Sequence, residues 1–187
     1  MTIDNIIDTI RLEMNNTRNS LASWFHEDDQ VLHYTPKDGG WTCIQVLEHI
    51  MLTSHFLLMI IDKAAIKAKQ RAISTPISQD WNKYELNPKR IEDIGVHRSF
   101  AWNRPDHMEP VGNMALHEIE SGINRQFDRC NEHLTLLANG EGVLCKVTMT
   151  VNGIGKMDVY QYIYFLILHA KRHLTQLTEN RNELKTV

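Results

Sequence analysis

Two of the ten histidines in this 187-residue chain, His169 and His173, stand one helical turn apart. Imidazoles at that spacing have side-chain roots roughly 6 Å apart on one face and can converge on a single ion at about 2.0 to 2.1 Å from each nitrogen. Spacing alone is weak, because a His-x-x-x-His pair arises by chance about half the time in a chain with this many histidines. Facing strengthens it. At roughly 100° per residue, Val159, Tyr162, Leu166, His169, Ala170, His173 and Leu177 share one arc, while Gln161, Lys171, Arg172, Thr175 and Glu179 share the other. Both imidazoles therefore point inward.

A third donor has to come from a facing segment. His49 qualifies, since it shares a face with Val46, Thr53, Phe56 and Ile60. His55 falls with Glu48 and Asp62 on a polar stripe and is expected in water. His26, His33, His97, His107, His117 and His133 fall at helix ends, on polar faces or in a long connection, and are not expected as ligands. The competing reading keeps the three inward histidines as core residues satisfied by hydrogen bonds, since imidazoles left unpaired there would be costly to bury.

Three neutral imidazoles would leave a bound metal its full charge and at least one open position, as in catalytic zinc sites and unlike closed structural ones. Water or a thiol held there could be deprotonated near neutrality by metal polarisation. Gln176, one turn beyond His173, and Tyr162, on the same arc, are candidates to support the site. Cys43, Cys130 and Cys145 show no CxxC spacing and read as inert buried thiols in a reducing compartment. No Gly-rich phosphate loop or G-x-S-x-G elbow is present, so the chemistry must lean on the metal.

The elements that would carry these residues are helical. Apolar residues at three- and four-residue spacing predict a first helix over residues 2 to about 28. Thr42 and Gln45 form the signature of a capping box opening a second helix, which runs to about Arg71. Its apolar stretch, Cys43 to Ile61, is interrupted by Gln45, Glu48, His49, Thr53, Ser54 and His55 and is expected to be a buried helix, short of a membrane span. Residues 72 to 112, with Pro76, Pro88, Pro105 and Pro110 and no sustained period, predict a long ordered connection. Its Trp81, Tyr84, Arg98, Phe100, Trp102 and Arg104 could form a substrate mouth, or else pack over the core or at a dimer interface.

A third helix is expected from about Asn113 to Ala138, ended by Asn139-Gly140. Alternation from Val143 to Val151 before Asn152-Gly153 predicts a short strand and turn. The last helix is expected from about Asp158 to Glu183. The fold class is thus all-α, a four-helix bundle in a single domain spanning residues 1–187.

Charge supports no mass electrostatics. Lys and Arg number 20 against 23 Asp and Glu, so neither nucleic acid nor a membrane surface is expected as a partner. An acid near Met1 where a signal peptide carries Lys or Arg makes a cytoplasmic location the expectation.

Two segments carry a family resemblance that extends over most of the chain. Trp41-Thr42-Cys43-Ile44-Gln45-Val46-Leu47-Glu48-His49-Ile50 resembles the entry into helix two of the DinB/YfiT-like superfamily, ending in its ligand histidine. His169-Ala170-Lys171-Arg172-His173-Leu174-Thr175-Gln176 resembles that family's last-helix His-x-x-x-His-x-x-Gln. The resemblance implies an up-down-down-up bundle, commonly a homodimer, with His49, His169 and His173 holding a divalent cation such as nickel or zinc. It also implies a metal-dependent hydrolase or a transferase using a low-molecular-weight thiol on a small-molecule substrate, although no thiol-binding motif matches here. The alternative is a non-catalytic bundle in which the ion pins two helices or a ligand is merely sensed.

Overall fold

The computed structural model describes residues 1–101 and 105–186. Six α-helices follow in chain order: α1 Ile3–Ala22, α2 Asp29–His33, α3 Cys43–Ala72, α4 Lys89–Glu92, α5 Leu116–Leu136 and α6 Val159–Leu184. The four long ones form the expected all-α bundle. Each packs against two others, in the ring α1, α6, α3, α5 and back to α1. One hydrophobic core draws on residues from Ile6 to Leu177.

Local chemistry sets the helix ends. At the start of α3 the Thr42 hydroxyl accepts from the Gln45 backbone N–H, and the Gln45 side chain accepts from the Thr42 N–H, so two otherwise orphaned donors are satisfied. The same reciprocal box, with Asp158 and Gln161, opens α6. After α5 the chain turns at Gly140, whose φ of 94° is one that a side chain would resist.

The strand expected over 143–151 is shorter and has a partner. Residues Glu141–Leu144 form a 3-10 turn, because Gly142 passes so close to Tyr160 that its N–H donates to the Tyr160 hydroxyl at 3.2 Å. Pairing starts only at β1, Val147–Met149, which runs antiparallel to β2, Gly155–Met157. The Tyr162 hydroxyl holds this hairpin onto α6 by donating to the Thr148 carbonyl.

Residues 73–101 and 105–115 form the expected connection, although they include α4 and short 3-10 turns that the prolines did not suggest. Ile91 and Ile94 are wholly buried against the bundle. The Tyr84 hydroxyl donates to Asp158 at 3.0 Å, so the connection is fastened at the entrance of α6. By length and composition α3 could cross a membrane, which its polar residues were expected to prevent, yet most of its apolar stretch is buried inside the bundle.

Candidate metal centre

His49 lies in the second turn of α3, and His169 and His173 lie near the middle of α6, the helix packed against it. The Asn180 side-chain amide donates to the Trp41 carbonyl at 2.8 Å, tying the residue before the α3 cap to the far half of α6. This fixes where His49 stands relative to the pair.

The three rings meet edge to face. Centroids are 5.2 Å apart for His49 and His169, 5.0 Å for His49 and His173, and 4.8 Å for His169 and His173. One ring nitrogen from each lies within 4.8 Å of the other two, and the Nε2 atoms of His169 and His173 are 3.3 Å apart. Two nitrogens held tetrahedrally at about 2.05 Å from one ion are themselves roughly 3.3 Å apart, so that pair already has a chelating separation.

In His49 and His173 the bond of Nδ1 sets the tautomer. His49 Nδ1 donates to the Met108 carbonyl at 2.8 Å, and His173 Nδ1 donates to the Gln176 side-chain oxygen at 2.9 Å. Each bond leaves Nε2 unprotonated, the usual way a protein fixes the tautomer of a metal-binding histidine; here His49 Nε2 accepts from the Thr53 hydroxyl at 3.4 Å and His173 Nε2 meets His169 Nε2. Burial, together with the neighbouring rings and Arg172, holds His169 well below the ordinary imidazole range. Burial, with His49 and Arg172, pushes His173 down to about 3, although Gln176 opposes this. Both are neutral at pH 7, so each ring carries one unprotonated nitrogen. The donor set therefore fits a divalent cation with affinity for imidazole.

The three histidines line a cavity of about 670 Å³. Phe56, Leu57, Ile60, Met149, Val151 and Phe165 give it an apolar wall, and Thr53, His97, Glu109, Arg172 and Gln176 add polar groups. Gln176 thus both lines the cavity and orients His173. Tyr162 does neither, since its ring is buried under the hairpin and does not line the cavity.

His55 is exposed, as expected. Two assignments to the polar face are overturned. Glu48 is buried, and its carboxylate accepts from the Gly112 N–H at 2.5 Å, because the connection folds over that side of α3. Arg172 is also buried and lines the cavity, with its guanidinium carbon 5.6 Å from the Phe100 ring centroid. Burial lowers its pKa to about 10, which still leaves it charged at neutral pH. The continuous run Tyr162 to Ala170 is buried all round, and that run was the signal that a polar arc could not be read off this part of α6.

His97 was set aside as a connection residue, yet it lines the cavity beside Arg172. His133, set aside as a residue of the third helix outside the core face, is buried and bonded to Asp62 at 2.5 Å, away from the cluster. The expected substrate mouth is built differently. None of Trp81, Tyr84, Arg98 or Phe100 lines the cavity, and Trp102 and Arg104 lie outside the described residues. The connection contributes His97, Pro105, Met108 and Glu109 instead, and Glu109 accepts from the Trp41 indole at 3.2 Å.

The uncharacterised protein YuaE of Bacillus subtilis (strain 168) is 27% identical over 184 residues, covering 96% of this chain and 98% of the relative. No solved structure matches the chain. The family model described as DinB superfamily matches residues 12–177, a span that holds all three histidines, and this chain therefore belongs to the DinB superfamily.

Proposed function

We propose that this protein is a metal-dependent enzyme, a thiol S-transferase or a hydrolase acting on a small electrophile, with His49, His169 and His173 as ligands of a nickel or zinc ion. The observation that carries the proposal is the convergence of three buried imidazoles, two of them with Nδ1 bonds that set the tautomer, on the wall of a cavity large enough for a metabolite. When bound, the cation supplies Lewis acidity and an open coordination position at that wall.

The chain's own groups do the rest. Met108 and Gln176 hold the two Nδ1 protons and so leave both Nε2 atoms unprotonated. Phe56, Leu57 and Phe165 bind the apolar part of a substrate and exclude water from it. The reading as a non-catalytic bundle requires a sealed, apolar surround, and a cavity of this size with Thr53, His97, Glu109, Thr150, Arg172 and Gln176 beside the three histidines speaks against it. We further take the working form to be a cytoplasmic homodimer with a small-molecule substrate, with neither nucleic acid nor membrane as a partner.

The test is a screen of the metal-loaded protein for transfer of several cellular thiols to a reporter electrophile, run beside hydrolysis of activated esters. Turnover that disappears in His173→Ala supports the proposal. Elemental analysis that finds no metal in the purified protein, and no uptake on titration, sinks it.

A further inference from the structure

The buried charge in the cavity points to one feature of the substrate, on the footing that the cavity is the substrate site proposed above. Arg172 is only 6% exposed and lines the same cavity as the three histidines. It follows His169 by three residues, so the site helix carries a full positive charge beside its imidazole pair. His97 lies on the same cavity, and neither of its ring nitrogens makes a hydrogen bond, although Nε2 lies 3.4 Å from a Glu179 oxygen. The one acid that lines the cavity, Glu109, belongs to an exposed residue whose charge water screens. A buried charge acts at a lower effective dielectric than an exposed one, so Arg172 sets the sign of the cavity.

We propose that the substrate carries a carboxylate that Arg172 binds, with His97 beside it, while its apolar body rests against Phe56 and Phe165. A single guanidinium offers two parallel N–H donors in a plane, which match the two oxygens of a carboxylate. A phosphate dianion buried there would need donors on more than one side. The Phe100 ring, its centroid 5.6 Å from the guanidinium carbon, packs against this side chain, so less freedom is lost on binding.

Isothermal titration calorimetry of the full-length protein with 3-phenylpropionate, 3-phenylpropionamide and 2-phenylethylphosphonate tests this, with the protein as purified and again after chelation. The acid is expected to bind at least about tenfold more tightly than the amide in both forms. Arg172→Gln should bring acid and amide within about twofold of each other, and Arg172→Lys should retain part of the difference. If Arg172→Gln fails to fold, the loss in Arg172→Lys decides alone. Equal binding of acid and amide by the wild type, a preference that survives Arg172→Gln, or a phosphonate that outcompetes the acid overturns the proposal. A preference that vanishes on chelation and ignores Arg172→Gln assigns the carboxylate to the cation, which overturns this inference and leaves the metal enzyme standing. A preference that depends on Arg172 in protein unable to take up metal supports this inference while the metal enzyme falls.

Discussion

At the scale of single residues, the cluster makes unequal demands on its histidines. His49→Ala and His173→Ala should each abolish metal retention through gel filtration, measured by elemental analysis, while His55→Ala, exposed on α3, should retain the full complement. Equal losses from all three would mean the cluster is not the site. Acidity gives an independent check on the metal-free protein. His173 titrates at about 3 in the folded chain and near 6.5 in the unfolded one, and His169 is lowered in the same direction. Between those values the unfolded chain holds protons that the folded chain does not, so stability is full above about 6.5 and declines as pH falls toward 3. Urea midpoints at pH 7.5 and pH 5 should show that decline, and it should be smaller in a His169→Gln/His173→Gln double variant. The inward pair was legible in the sequence because it recurs with apolar residues at helical spacing along α6. Arg172 was not, since a charged residue on a helical arc is assigned to water by default, and only the surrounding helices reveal that no water is there.

At the scale of elements, helix starts were the most readable feature, because a capping box is local chemistry between residues three apart. The box of α6 also receives the Tyr84 hydroxyl, so Asp158 joins a helix end to the connection. Asp158→Ala removes both bonds and is expected to cost about 1–2 kcal/mol, read as a fall of roughly 2–8 °C in Tm by calorimetry. Asp158→Asn keeps an acceptor and should cost less. Burial raises the Asp158 pKa against the opposing bonds from Gln161 and Tyr84, so a neutral side chain is not penalised there. The hairpin was half legible. Its first strand alternates in sequence, but Gly155–Met157 is too short to show a period and gains strand geometry only from pairing.

At the scale of the whole molecule, the cluster joins three parts of the chain that meet only in the folded state. These are the second turn of α3, the middle of α6 and, through the Met108 carbonyl, the connection. A cation bound there should therefore stabilise the fold as a unit. At a hundredfold excess over Kd the linkage is worth about 2.7 kcal/mol, or roughly 5–10 °C in Tm for a domain of this size. Differential scanning calorimetry should find that rise in the wild type and none in His173→Ala. The bundle itself followed from four amphipathic patterns, whereas the path of the described connection residues, 73–101 and 105–115, over α3 and α6 did not. Its course is set by long-range bonds such as Glu48 to Gly112, which no local pattern announces.

The bond from His49 to Met108 ends on a backbone carbonyl, and every residue type at position 108 offers the same oxygen. Substitutions along this stretch can therefore accumulate without disturbing the imidazole, whereas an insertion or deletion would carry the carbonyl out of reach. As far as this one bond goes, the segment is constrained in length and not in the side chain at 108, so relatives that share the histidines are expected to differ more at that position than in the number of residues between α3 and Met108.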